Sequence, residues 1–290
     1  MEVDLPAYFE PILDAYNRGL HNRSVHLGYY ASDPDPSGIP LHEAQKEFDS
    51  RLLNIAGLRG GLRILDVGCG LGGLIDRINS ECKQVDILGC NIDPRQLEIC
   101  NSIRPKNDNA IAWMESDAST LPVPSHTMDL VLCIEAAFHF QSRQEFYAEA
   151  FRVLKPGGRL ICTDIFLKER LLRELHFTEG VPQVSLIEEF DNFLHRSVHT
   201  LLLSGYAPWP DPWYSATCLK EDLADLGFVS LLIEDWTRAT APSYDAMIPA
   251  AKRFGARGTS DPLLGALLTL GFLHQKQLLD YVMFTSLKPT

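Results

Sequence analysis

Ile64-Leu65-Asp66-Val67-Gly68-Cys69-Gly70-Leu71-Gly72-Gly73 is a short apolar stretch that ends in an acid and a cluster of glycines. Gly68, Gly70 and Gly73 satisfy GxGxxG between an expected strand, Leu62 to Val67, and an expected helix, so the chain can turn tightly and bring its backbone close to a ligand. Three further apolar runs follow, Val85 to Ile92, Leu130 to Ile134 and Arg159 to Phe166, and they read as buried parallel strands. Between the last two, Phe146, Ala150 and Val153 stand beside Tyr147, Phe151 and Leu154 at helical spacing, and Lys155-Pro156-Gly157-Gly158 supplies the stop and the turn of a crossover helix. Alternating strand and helix signals predict an α/β fold, a doubly wound, mostly parallel sheet.

Upstream, Leu41, Ala44, Phe48, Leu52 and Ile55 recur at helical intervals and close at Gly57. Downstream, helices are expected over Lys168 to Leu175, Leu186 to Leu203 and Leu219 to Leu226, with strands at Val229 to Trp236 and Asp280 to Leu287. The segment from Pro242 to Leu278 reads as helices broken at Gly255, Gly258 and Pro262. The 290 residues are 46% hydrophobic and 22% charged, which fits a compact domain rather than a disordered chain or a rod. A net charge of -12 disfavours nucleic acid and anionic lipid surfaces as partners. The 7 cysteines form no CxxC pair, the reading of a reducing compartment. With an acidic, proline-broken start and no stretch long enough to span a bilayer, a cytoplasmic location is expected. The histidines show no HxH spacing and a single HxxxH pair, His195 and His199, with no further ligand spacing beside it, and no metal is expected.

Asp66 separates two readings of the glycine motif. A carboxylate two residues before the first glycine repels a dinucleotide's diphosphate but suits a cationic ligand, which weighs against an NAD-dependent oxidoreductase. The stretch resembles motif I of the class I S-adenosylmethionine-dependent methyltransferases. The resemblance covers about Ile55 to Phe166 and, more loosely, Leu279 to Lys288. It implies a Rossmann-like sheet of seven strands with the last pair antiparallel, a helical cap inserted in the C-terminal half, and S-adenosyl-L-methionine as cofactor, with S-adenosyl-L-homocysteine as product. Asp66, Gly68, Cys69 and Gly70 then belong to the cofactor site. Where that family commonly carries a ribose-binding acid, this sequence has Asn91, followed by Ile92 and Gln96; Asp93 before Pro94 is a helix-capping signature. Asp117-Ala118 is similar to the family's adenine motif, with local capping by Asp117 as the bland reading. His26-Leu27-Gly28-Tyr29-Tyr30 resembles an HxGYW string in small-molecule methyltransferases whose aromatic faces the methionine half of the cofactor. Tyr29 and Tyr30 are read either so or as ordinary packing.

Methyl transfer to a hydroxyl needs alignment and a proton acceptor. Glu135-Ala136-Ala137-Phe138-His139-Phe140 is similar to the E-S-x-x-H string of rebeccamycin-type natural-product O-methyltransferases, with Ala136 in place of Ser. That resemblance implies His139 as general base and Asp164, at the end of the next strand, as the partner that orients its ring. Glu135 holds the cofactor's amino-acid end, contacts the acceptor, or satisfies backbone donors. Acceptor contacts are sought at His139, Phe140 and the aromatic loop with Tyr206, Trp209 and Trp213, a loop that serves either as lid or as anchor. The apolar stripe from Leu186 to Leu203 reads as core or as a homo-oligomer interface. One domain is expected in three stretches: a helical cover over 1–57, the cofactor core over 58–166, and cap plus final strands over 167–290. The expected activity is O-methylation of a small, fairly apolar natural product, with N- or C-methylation of an amine, sterol or prenyl compound as the alternative.

Overall fold

A computed structural model describes residues 5–19, 21–30, 38–168, 176–178, 181–183, 214–253, 255 and 261–290. The chain opens with helix α1 (Phe9–Asn17) and α2 (Leu41–Ala56), which ends at Gly57 in the left-handed conformation, as the glycine's position in the sequence predicts. Then come β1 (Arg63–Val67), α3 (Gly73–Glu81), β2 (Asp86–Asn91), α4 (Pro94–Cys100), β3 (Ala110–Glu115), β4 (Met128–Ile134), a 3-10 turn at Ala137–His139, α5 (Arg143–Val153) and β5 (Leu154–Leu167). β6 (His176–Thr178) pairs antiparallel with β7 (Val181–Gln183) in a separate two-stranded sheet. The chain closes with α6 (Ala216–Asp225), β8 (Val229–Asp235), α7 (Thr237–Thr240), α8 (Ser243–Arg253), α9 (Pro262–Gln275) and β9 (Leu279–Leu287). The expected helices at Lys168 to Leu175 and Leu186 to Leu203 lie essentially outside the described residues.

The main sheet has 7 strands in the order β3-β2-β1-β4-β5-β9-β8. Pairings from β3 across to β5 are parallel, and β9 runs antiparallel to both β5 and β8. This is the Rossmann-like α/β sheet. Its buried strands alternate between two cores: Ile64, Leu130 and Leu132 pack toward α2, α3, α4 and α9, while Leu65, Val131 and Cys133 pack toward α5 and α6. After β1 the chain winds outward to β2 and β3, then returns to β4 on β1's other side. The C-terminal ends of β1 and β4 therefore flank a crevice, the place where open α/β sheets hold ligands.

Lys155-Pro156-Gly157-Gly158 does not end the helix in a separate turn. β5 already starts at Leu154, opposite Met128, and the register then jumps to Arg159 opposite Leu130, with Gly157 at φ +77° absorbing the extra residues. Among the described residues no helix is long and apolar enough to cross a membrane, and no group of His, Cys, Asp or Glu side chains is arranged to hold a metal.

Candidate active site

A cavity of about 510 Å³ opens at the C-terminal ends of β1, β2, β3 and β4. Asp66, Gly68, Cys69 and Gly70 line it from the first loop, Asn91, Ile92 and Gln96 from the second, Asp117 and Ala118 from the third, and Glu135, His139 and Phe140 from the fourth. The loop after β1 is shaped by its glycines. A Cβ on Gly68 would lie 2.4 Å from the Ala136 methyl, and one on Gly73 would lie 2.8 Å from the Arg23 carbonyl oxygen. The first crowding also accounts for a small residue at 136.

The floor of the cavity holds an excess of carboxylates. His26 Nε2 lies 3.1 Å from Asp49 Oδ1, both buried. Burial alone would lower the His26 pKa, but Asp49, aided by Glu135, lifts it to about 9, so the ring is an imidazolium at neutral pH. Asp66 is raised to about 7 by burial, with Asp49 adding repulsion and His26 opposing. Glu135 is likewise raised by burial, against the pull of His26, the Tyr281 hydroxyl and the Leu27 N–H. Leu27 N and Tyr281 Oη donate to Glu135 Oε1 at 2.8 and 2.6 Å. One imidazolium thus faces three acids, Asp49, Asp66 and Glu135, two of them on the cavity wall. Ionised, they call for a further cation.

Around the rim the side chains are partly committed to one another. The Asn91 amide donates to Gly70 O at 3.3 Å and to Gln96 Oε1 at 3.0 Å, and its own oxygen accepts from Asp93 N. Asp93 caps α4, accepting from Arg95 N at 3.0 Å, with Pro94 in the first helical position. Asp117 Oδ1 accepts from Ser119 N and Oγ, both at 2.8 Å, so the local cap forms while the residue also faces the cavity.

Two expectations need correction. Asp164 does not orient His139. It is fully buried and forms an ion pair with Arg143, accepting from Nε at 2.8 Å and Nη2 at 3.1 Å and also from Ile165 N. Instead, Tyr8 Oη lies 2.5 Å from His139 Nε2. Tyr29 and Tyr30 do not line the cavity either. Gly28 packs so tightly that a Cβ would come within 2.5 Å of the Ala44 methyl; Tyr29 N then bonds Ala44 O, and the Tyr29 ring stands edge-on to Trp236 under Arg51. Tyr30 N bonds Ala239 O and its ring is buried. That string docks the N-terminal segment onto α2 and α7. Tyr206, Trp209 and Trp213 lie outside the described residues.

The cavity also has walls that the reading of the sequence missed. Tyr8, Phe9 and Ile12 come from α1 and the residues just before it, Arg23 to Leu27 from the following segment, and Met247, Leu263, Ala266 and Leu267 from α8 and α9. A signal for α9 was present: Pro262-Leu-Leu-Gly-Ala-Leu-Leu-Thr-Leu-Gly-Phe-Leu is apolar on every face, and such a helix must be covered on both sides.

Residues 65–162 match a family model described as a methyltransferase domain. The chain is 32% identical over 229 residues to erythromycin 3''-O-methyltransferase of Saccharopolyspora erythraea, a match that covers 78% of this chain and 68% of that enzyme. The chain belongs to the class I S-adenosylmethionine-dependent methyltransferases. Another relative of this methyltransferase, a sterol 24-C-methyltransferase of Gibberella zeae, is 27% identical over 279 residues, covering 88% of this chain and 71% of that one. Among solved structures, a mycolic acid cyclopropane synthase complexed with SAH and CTAB superposes with a TM-score of 0.76 at 18% identity, covering 98% of this chain and 99% of that one. S-adenosylmethionine is the methyltransferase's cofactor, and the surplus of carboxylates at the cavity floor fits a ligand that carries an ammonium and a sulfonium.

Proposed function

We propose that this methyltransferase methylates a hydroxyl of a small, neutral, fairly apolar natural product, with His139 as general base. The observation that carries the reading is that His139, flanked by Phe138 and Phe140, lines the same cavity as the residues sought for the cofactor, and that Phe9, Ile12, Met247, Leu263 and Leu267 give that cavity an apolar wall. Among the described lining residues the cations besides His139 are Arg23 and His26. Arg23 is spent on the carbonyls of Leu71 and Ile99, and His26 on Asp49. Among the described lining residues a phosphate or diphosphate acceptor would find no free counter-charge.

Asp66 and Glu135 would hold the cofactor's ammonium, the Gly68 to Gly70 backbone its amino-acid chain, Gln96 with Asn91 and Ile92 its ribose, and Asp117 with Ala118 its adenine. Bound there, the cofactor supplies an electrophilic methyl on sulfonium. The chain's own residues do the rest. The apolar wall orients the acceptor and excludes water, and His139 takes the hydroxyl proton as the oxygen attacks, a contribution of roughly 10²- to 10⁴-fold. The erythromycin enzyme's name places its methyl on an oxygen, which supports this reading. The sterol relative makes carbon the second candidate.

Incubation with methyl-labelled cofactor and a panel comprising a macrolide glycoside, a sterol, a primary amine and a prenyl diphosphate tests the assignment. Label is expected on a hydroxyl oxygen, with transfer lost at least 100-fold in His139→Ala while S-adenosylhomocysteine affinity stays within about twofold. Label on carbon or nitrogen, or full turnover without the imidazole, overturns it.

A further inference from the structure

The phenol of Tyr8 meets His139 where a carboxylate was expected. Oη lies 2.5 Å from Nε2 with the ring centroids 5.6 Å apart, and Phe9 stands edge-on to the same imidazole at 6.1 Å. Tyr8 is the N-cap residue of α1, and α1 is fastened to the cofactor loops at two points. Glu10 pairs with Arg95, whose guanidinium also grips the buried Asp93 at 2.9 and 2.8 Å, directly beyond the Asn91–Gln96 pair. Farther along, Tyr16 lies under Arg23, which holds the carbonyls of Leu71 and Ile99. The elements that frame the cofactor therefore also set the place of Tyr8.

We propose that Tyr8 is the positioning residue of His139, an inference that rests on the reading of His139 as the general base. A neutral imidazole carries one N–H and one basic lone pair. With Nε2 held against the phenol, the hydrogen sits on Nε2 and is donated to Tyr8 Oη, and Nδ1 carries the basic lone pair. In the reaction the acceptor's O–H bond breaks and an Nδ1–H bond forms; the electron pair left on the acceptor oxygen makes the new bond to the methyl carbon. The imidazolium keeps its Nε2–H on the phenol oxygen as a charge-assisted hydrogen bond, the service a carboxylate performs in hydrolase triads. A phenol does this without adding another anion to a cavity that already carries Asp66, Asp117 and Glu135.

The test needs no acceptor. The full chain, labelled with ¹⁵N-histidine and saturated with S-adenosylhomocysteine, is titrated by NMR between pH 5 and 9, with His139→Ala to assign the resonance. The wild type is expected to show His139 as the Nε2–H tautomer when neutral. In Tyr8→Phe that preference is lost and the titration moves down by about one pH unit, the size of one hydrogen bond to a charged group. The other ionisable groups among the described residues of the cavity wall, His26, Asp66, Asp117, Glu135, Arg23 and the Cys69 and Cys90 thiols, are the same in both proteins, so the difference reports on the phenol. Tyr16→Phe, a change on the same helix away from the imidazole, is expected to leave the His139 titration in place. An Nδ1–H tautomer in the wild type, or an unmoved titration in Tyr8→Phe, overturns the inference. The two readings fail separately. Full turnover in His139→Ala removes the base and this inference with it, whereas lost turnover in His139→Ala with an unmoved titration in Tyr8→Phe removes Tyr8 alone.

Discussion

Asp66→Asn should make the cofactor-free protein more stable at pH 8 and a poorer binder, and the size of both effects follows from one buried carboxylate. Burial, with repulsion from Asp49, lifts Asp66 from 3.8 to about 7. A folded-state pKa raised above the unfolded value means that ionisation opposes folding. The penalty is absent below about pH 4, grows between about 4 and 7, and is complete above 7. A lift of about 3 units at 1.36 kcal/mol per unit is up to about 4 kcal/mol. Asparagine removes that charge but leaves a buried amide whose partners are not provided, an offset of about 1–3 kcal/mol. The net gain at pH 8 is therefore about 1–3 kcal/mol. For 290 residues, at roughly 2.1 cal/mol/K per residue, this corresponds to a rise in Tm of about 2–5 °C. At pH 4 the wild type should be at least as stable as the variant.

Binding should show the opposite sign. To hold an ammonium, Asp66 must be ionised, so wild-type affinity for S-adenosylhomocysteine should weaken about tenfold per pH unit below 7 and level off above it. The asparagine variant should lack that slope and bind at least about tenfold more weakly at pH 8, the loss of one charge-assisted hydrogen bond. Calorimetric titration and thermal melts from pH 4 to 9 measure both. A Tm difference that does not change with pH, or equal affinities at pH 8, would refute the assignment of Asp66 as the counter-charge.

Arg143→Met should lower the Tm by about 5–8 °C, because it leaves the buried Asp164 carboxylate unpaired at about 3–5 kcal/mol; S-adenosylhomocysteine affinity of the folded protein, by calorimetry, should be unchanged, as a structural pair requires. Leu263→Trp, placed on the α9 wall of the cavity, should raise the acceptor KM at least tenfold in the label-transfer assay without altering cofactor affinity. His274 is buried, and burial lowers its pKa to about 4 from 6.5, so its neutral form supports the fold. The stability it preserves is present above about pH 6.5 and is lost, up to about 3 kcal/mol, as the pH falls toward 4. Melts of His274→Leu should lack that acid-side decline.

The residues sought for the cofactor come together in one cavity because they lie within a few positions of strand ends, where glycines and acids carry local meaning. Asp66, Gly68, Asn91, Gln96, Asp117, Glu135 and His139 all reach the cavity for this reason. β3 escaped because Ala110–Glu115 is a partly exposed edge strand with no continuous apolar run. The partner of Asp164 escaped for another reason. Arg143 sits on α5, 21 residues before it, and only the packing of that helix beneath β5 turns the guanidinium inward. Position along the strand predicted that Asp164 would be near the crevice, but not which charge would reach it first. Tyr29 and Tyr30 show the same limit, since the contact of Gly28 with Ala44 decides where the string docks, and a long-range contact leaves no local pattern.

Glu135 ties the N-terminal segment and the last strand to the core. It stands at the end of β4 with φ +52°, a left-handed conformation that costs a residue with a Cβ about 1–2 kcal/mol. That strain is held by bonds from three distant parts of the chain: its own N–H to the Thr163 hydroxyl at 3.0 Å, Leu27 N to Oε1 at 2.8 Å, and Tyr281 Oη to Oε1 at 2.6 Å. Leu27 precedes the strands of the sheet and Tyr281 lies in β9, the last of them, so both ends of the described chain converge on one carboxylate of the cavity. A truncation that removes residues 1–57 would leave Glu135 without its backbone donor and Asp66 without the His26 charge. Residues from both ends of the described chain therefore complete the electrostatics of the site as well as covering it.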